Sequence, residues 1–236
     1  MKKLLFILYL FSCVSINAQE KGYWFVFNFR VDKQSDEKEL LMAMDYFLSS
    51  KQISQNPLTV VVTQTASANS TTNFTHQIFF LSPNADNFKN WGEGDMGSFA
   101  EGKLLEKVFE SVKPISSEVG SPLISDPTGL KYKYATIWGF KVTDVPKFAS
   151  LAAEFISANQ LSNGVIELHE AISGAPEGVT HYMVARSNNL GEFLRARETV
   201  NANPKTRVWF DNYSKYSTMI SSFSHKILKL YQPQKK

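Results

Sequence analysis

The apolar positions of this chain alternate between a two-residue and a helical period, and the series runs twice. Residues 23–31 alternate strictly, with Tyr23, Phe25, Phe27 and Phe29 on one face and Trp24, Val26 and Asn28 on the other. Both faces are largely apolar, so a strand here needs cover on both sides. Residues 36–50 switch to helical spacing, with Leu40, Leu41, Met44, Phe47 and Leu48 along one stripe. The stretches 58–65 and 73–81 are β-rich. A stripe of Leu104, Leu105, Val108, Phe109 and Val112 then precedes a last strand near 115–119.

The series returns from residue 134. Tyr134, Thr136, Trp138 and Phe140 face one way; Ala135, Ile137 and Gly139 face the other. Asp144 is placed to cap a helix whose first turn holds Pro146, where proline is tolerated. Phe148, Leu151, Ala152, Phe155 and Ile156 form its stripe. Strands at 165–172 and 179–186 are joined by the hairpin-type run Ser173-Gly174-Ala175-Pro176-Glu177-Gly178. Trp209, Phe210, Tyr213 and Tyr216 give the next helical stripe, and 220–228 the last strand. Each half thus reads β-α-β-β-α-β, the ferredoxin-like order.

Residue identities support a repeat. Phe29 matches Phe140, offset by 111; Phe47-Leu48 matches Phe155-Ile156, offset by 108. Gln52-Ile53-Ser54 matches Gln160-Leu161-Ser162. Thr75-His76 matches Thr180-His181, offset by 105, and Ile115-Ser116-Ser117 matches Ile220-Ser221-Ser222 at the same offset. The offset changes near 32–40 and 55–70, where loops absorb insertions. The expected fold is α+β: two tandem ferredoxin-like (βαββαβ) repeats packed sheet-to-sheet as an intramolecular α+β barrel. The expected division is a leader over 1–18, a first repeat over 19–125, a linker over 126–133 and a second repeat over 134–236. Gly120-Ser121-Pro122 and Asp126-Pro127-Thr128-Gly129 mark the linker region.

The N-terminal reading adds a destination. Lys2 and Lys3, the short apolar run 4–11, and Ala18 before Gln19 have the form of a bacterial-type secretory signal. The expectation is an exported protein, periplasmic or secreted. The alternative is a lipoprotein anchored through Cys13 in Leu10-Phe11-Ser12-Cys13, although Phe11 is bulky for that pattern. Cys13 is the only cysteine, so cleavage after Ala18 leaves no thiol for disulfides, nucleophiles or metal. Losing Lys2 and Lys3 lowers the net charge from +3 to +1, a balance that argues against nucleic acid as partner. No second apolar stretch approaches transmembrane length. The two repeats also predict a monomer that is its own pseudo-dimer.

Candidate chemistry is sparse. His76 and His181 hold matched strand positions, and a pseudo-twofold arrangement brings the two imidazoles symmetrically to the interior. There a desolvated histidine favours its neutral form and serves as base or binding donor; the plainer reading is a core histidine with a satisfied partner. Glu167 and His169 share a strand face that His181 approaches across the hairpin, a permissible metal set. The first half has Val60, Val62 and Gln64 there, and no metal is expected. Phe27, Trp138 and Tyr182 suit an aromatic lining, or ordinary core packing. There is no paired-carboxylate signature, nucleophile elbow or phosphate loop; Gly92-Glu93-Gly94-Asp95 lacks a preceding strand and is acidic where phosphate sits.

The element order, the strand 25–31 and Phe88-Lys89-Asn90-Trp91, similar to a Phe-x-x-Trp helix pattern, together resemble the dimeric α+β barrel superfamily, which includes antibiotic biosynthesis monooxygenase-like and stress-responsive barrel proteins. Its members usually build the barrel from two chains; here a fused duplication supplies both halves. The second half departs from the pattern, with Phe193-Leu194-Arg195-Ala196 lacking Trp. Haem-degrading members use an Asn on the first strand, a Trp, and a His on the later helix. Asn28 matches the first by position, but residues 102–113 contain no His, so haem degradation is not carried over and no cofactor is expected. The leading expectation is an exported protein that binds a small apolar or aromatic molecule, with His76, His181, Asn28, Phe27, Trp138 and Tyr182 as candidate ligand-binding residues. Alternatives are a cofactor-independent oxygenase or isomerase with a histidine base, and a structural or protein-interaction scaffold. No catalytic residue is assigned.

Overall fold

Strand β1 (Tyr23–Arg30) shows what the two-faced pattern builds: Trp24 and Val26 are buried on one side, and Phe29 on the other. The computed structural model describes residues 22–49, 57–70, 72–89, 112–176 and 178–233. The expected leader with Cys13, residues 52–54, Trp91, Gly92–Asp95 and the stripe at 104–109 lie outside them. After β1 come α1 (Gln34–Ser49), β2 (Thr59–Ala68), β3 (His76–Ser82) and β4 (Lys113–Ile124). Then follow β5 (Tyr134–Val142), α2 (Val145–Ala158), β6 (Gly164–Ser173), β7 (His181–Ser187), α3 (Leu190–Ala202), α4 (Thr206–Asn212) and β8 (Ser217–Tyr231). Asp144 caps α2 as its sequence suggests, its carboxylate accepting from the Lys147 N–H at 3.2 Å.

The eight strands close into one antiparallel barrel in the order β1-β3-β2-β8-β5-β7-β6-β4, with β4 returning to β1. The first four strands run β4-β1-β3-β2 and the last four run β8-β5-β7-β6. The two sheets do not simply stack. They are hydrogen-bonded edge to edge, β2 to β8 and β4 to β6, so no edge is left open.

Closure separates three cores. Inside the barrel, Trp24, Val26, Ala135, Ile137, Val184 and Phe223 pack together from both halves. Outside, Leu40, Ala43 and Met44 of α1 cover Phe29, Val60, Val62 and Ile78. On the opposite wall, Phe148, Ala152 and Phe155 of α2, Val200 of α3 and Trp209 of α4 cover Phe140, Leu168 and Met183. Each strand face therefore has its own cover, as the alternation demanded.

One expected linker mark is corrected. Gly120-Ser121-Pro122 is not linker: it lies within β4, where Gly120 pairs with Ala171 and Pro122 with His169 of β6. The strand runs on because β4, like β2, zips the halves together. Gly120 has a steric task there. A Cβ on it would stand 2.0 Å from Cζ2 of the Trp24 ring and 2.3 Å from the Glu170 carbonyl oxygen. Backbone cannot retreat as a flexible side chain does, so Gly120→Ala should lower unfolding stability by at least about 1–3 kcal/mol in urea titration. A stability equal to wild type would contradict this packing of Trp24 against β4.

Candidate functional site

The inward positions of the strands are not all apolar. Asn28 Nδ2 donates to Glu118 Oε1 at 2.7 Å and to Ser116 Oγ at 3.0 Å. The Tyr182 hydroxyl donates to Glu118 Oε2 at 2.6 Å. Gln77 Nε2 donates to Asn28 Oδ1 at 2.8 Å, and Gln77 Oε1 stands 3.0 Å from His225 Nδ1. Because that oxygen only accepts, His225 carries its proton on Nδ1. The line Tyr182–Glu118–Asn28–Gln77–His225 thus crosses the lumen and joins β7, β4, β1, β3 and β8. Burial pushes the Glu118 carboxyl up against the donors from Tyr182 and Asn28. Burial, helped by the Arg186 charge, holds His225 neutral down to about 3. At one end of the lumen Arg186 Nε donates to Glu167 Oε2 at 2.6 Å. Burial alone would raise the Glu167 carboxyl; Arg186 and His169 outweigh it and hold it at about 2. Trp24 Nε1, Thr63 Oγ1 and His169 Nε2 lack hydrogen-bond partners among the described residues, although His169 Nε2 is 3.5 Å from the Glu167 carboxylate.

The matched histidines are not in the lumen. His76 and His181 face outward, each beneath the helix of its own half, because they are out of phase with Gln77 and Tyr182. His76 stacks on Phe29 at 5.7 Å and His181 lies 5.8 Å from Phe148. What the two matched positions share is a stitch. Thr75 Oγ1 accepts from the Val31 N–H at 2.8 Å and stands 2.9 Å from His76 Nδ1. Thr180 Oγ1 accepts from the Val142 N–H at 3.0 Å and stands 3.0 Å from His181 Nδ1. Each threonine fixes the end of the first strand of its half to the start of the third. His76 has a carboxylate beyond it: His76 Nε2 is 3.0 Å from Glu37 Oε2, which also accepts from Gln64 Nε2 at 2.6 Å, while His181 feels the charge of Glu170, its cross-strand neighbour. Burial lowers the pKa of both imidazoles.

The remaining candidates are scattered for the same reason of strand phase. Phe27 is on the outer face of the first half, Asn28 and Tyr182 are in the lumen, and Trp138 is on the outer face of the second half. The set Glu167, His169 and His181 is also divided, since the first two point inward and His181 outward. No group of three or more His, Cys, Asp or Glu suited to a metal occurs among the described residues.

Trp138 leads to the site. A cavity of about 520 Å³ lies between the outer face of the second half and helices α3 and α4. Its floor is Thr136, Trp138 and Phe140 of β5 with Met183 and Ala185 of β7; its roof is Phe193, Ala196 and Val200 of α3 with Trp209 and Phe210 of α4. Tyr213 and Met219 close the sides, and Arg197 and Asn201 edge the roof. Phe193 stands 6.2 Å from Trp138, ring to ring, and Tyr213 stacks on Trp209 at 5.5 Å. No carboxylate lines the space. A volume of this size with mostly apolar walls and a few polar groups is that of a small-molecule site. The helix α3 residues had a signal in the sequence, the i, i+4, i+8 series Phe193, Arg197, Asn201, but nothing in it told a cavity roof from an ordinary packed face.

No family model matches the chain, and no curated protein matches it in sequence. Solved structures do match in fold. An anthrone oxidase-like protein has TM-score 0.61 at 9% identity, over 92% of this chain and 95% of its own. A candidate monooxygenase of Fusobacterium nucleatum has TM-score 0.59 at 12% identity, over 90% and 94%. A haem-binding protein of Thermus thermophilus has TM-score 0.50 at 10% identity, over 89% and 92%. With chlorite dismutase-like structures they belong to the dimeric α+β barrel superfamily. Identities this low carry the fold and not the chemistry.

The lumen gives a pH prediction. Free in an unfolded chain, His225 titrates near 6.5; folded, it stays neutral to about 3. The unfolded chain therefore takes up the proton first, and stability is complete above about 6.5 and declines as pH falls toward 3. His76 and His181 add to the same trend, and Glu167 continues it from its ordinary 4.5 down to about 2. Glu118, raised by burial, acts in the opposite sense. Urea midpoints measured from pH 7 to 4 should fall, and the fall should be shallower in His225→Gln by up to one proton, about 1.4 kcal/mol per pH unit. Equal slopes in the two proteins would contradict a neutral, buried His225.

Proposed function

We propose that this protein binds a small, largely apolar aromatic molecule in the cavity between the second-half sheet and helices α3 and α4. The observation that carries the proposal is the wall itself: Trp138, Phe140, Phe155, Phe193, Trp209 and Phe210 surround about 520 Å³ of space. Aromatic rings at this density favour a flat ligand by edge and face contact. The oxidase-like and monooxygenase-type neighbours are in keeping with a small-molecule site on this fold. Haem fits it poorly. Proteins hold haem iron chiefly through His or Cys, less often through Tyr or Met. No His or Cys lines the cavity; the residues left to hold iron are Met183, packed into the core, Met219 at its side, and Tyr213, whose ring is stacked on Trp209.

The finer reading of the fold belongs here too. We take the two halves as a fused duplication that makes the protein a single-chain member of the superfamily, working as a monomer. Equal strand order in the halves and the paired Thr75-His76 and Thr180-His181 stitches support this. Export remains part of the proposal, on Lys2, Lys3, the apolar run 4–11 and Ala18.

The histidine-base enzyme is a second reading with its own place. His76 and Glu37 line a cleft of about 560 Å³ with Gln64, Thr75 and Lys226. If a reaction occurs there, His76→Gln abolishes turnover, and turnover at the wild-type rate removes the idea.

Native mass spectrometry tests the binding reading. Protein purified from its own source should carry a mass excess of a few hundred daltons that is lost on denaturation. Ala196→Trp, which fills the roof, should abolish the excess while leaving the thermal unfolding transition cooperative. A wild-type protein with no excess, and no change in melting temperature with aromatic probes, would contradict the proposal.

A further inference from the structure

Resting on that cavity reading, we infer that the ligand is an aromatic acid: a flat apolar body bearing a carboxylate, which Arg197 meets at the edge of the roof. The cavity is lined by two arginines and no acidic residue. Arg186 is already committed, its Nε donating to the buried Glu167 carboxylate at 2.6 Å. Arg197 differs. It is exposed and makes no hydrogen bond or ion pair with any described residue. Its neighbour Glu198 is one step along α3 and so is directed elsewhere around the helix. Asn201, one turn beyond Arg197, is uncommitted in the same way and also edges the cavity.

Position gives these two groups their meaning. Phe193, Arg197 and Asn201 follow one another at four-residue spacing, so they form one stripe along the roof. Phe193 covers Trp138, and the stripe turns polar one turn further along α3. A ligand ring seated on Trp138 and Met183 projects its edge substituent toward that polar end. A guanidinium offers only donors, in a fork that matches the two oxygens of a carboxylate. Asn201 can add one N–H. An amine or other cation would meet a like charge and find no acid to pair with.

The test uses the full chain and two probes of one shape, 2-naphthoate and 2-naphthamide, titrated by tryptophan fluorescence at neutral pH and low salt. Wild type should bind the naphthoate about tenfold more tightly, the worth of one partly exposed charge-assisted contact. The preference should shrink as salt is raised, because Arg197 is at the surface. Arg197→Gln should reduce it below about twofold, with a cooperative thermal unfolding transition showing that the variant is folded; Arg197→Lys should fall between. Equal affinity for the two probes in wild type, or a preference undiminished in Arg197→Gln, overturns the acid while leaving the cavity reading intact. Failure of both probes to bind, or Ala196→Trp binding both as wild type does, overturns the cavity reading and this inference together.

Discussion

Strands β1 and β5 are apolar on both faces, and burying two faces at once is the constraint from which the rest of the architecture follows. A helix layer can cover only one side of a sheet. Hydrogen-bonding β2 to β8 and β4 to β6 turns the other side into a lumen that the two halves fill jointly. The outer faces then fall to α1 on one wall and to α2, α3 and α4 on the other. Closure also removes every sheet edge, which an open arrangement of strands this apolar would present to other chains.

A lumen built from two halves has to be matched across the seam, and here the matching is partly polar. Tyr182 and Asn28, from opposite halves, both donate to Glu118. Gln77 and His225 extend the line to the other wall. Each member is buried, so each depends on its partner: an unpaired group in that setting costs about 1–3 kcal/mol. The line thus favours one register of the halves over shifted ones, in which these groups would lose their partners. It also absorbs Asn28 and Tyr182, leaving neither free for a ligand.

Much of the fold could be read from the chain before any coordinates. Tyr23–Arg30 and Tyr134–Val142 showed their period plainly, Asp144 with Pro146 announced α2, and the Thr-His pairs marked matching strand positions in the two halves. What could not be read was which face is which. A strand apolar on both sides gives no sign of its inward direction, so the sequence does not separate histidines packed under the helices from histidines in the lumen. Gly120-Ser121-Pro122 carries turn residues yet is strand, because a glycine is needed beneath Trp24 and the pairing that keeps it extended comes from β6, about fifty residues on. Of the candidate binding residues, Trp138 alone lines the second-half cavity. Its other walls come from α2, α3, α4 and β7, and only the folded chain brings those together.

The proposed ligand site is on one wall of the barrel and not in its centre. The lumen is filled by apolar side chains and crossed by the line from Tyr182 to His225, and the Thr75 and Thr180 stitches hold strand ends. The second-half cavity is roomy, aromatic and edged by an uncommitted cation. The most direct test is a crystal structure of the protein grown with 2-naphthoate. The account predicts ligand density between Trp138 and Phe193, with the carboxylate toward Arg197. Helices α3 and α4 collapsed onto the sheet, or density at another place only, would contradict it.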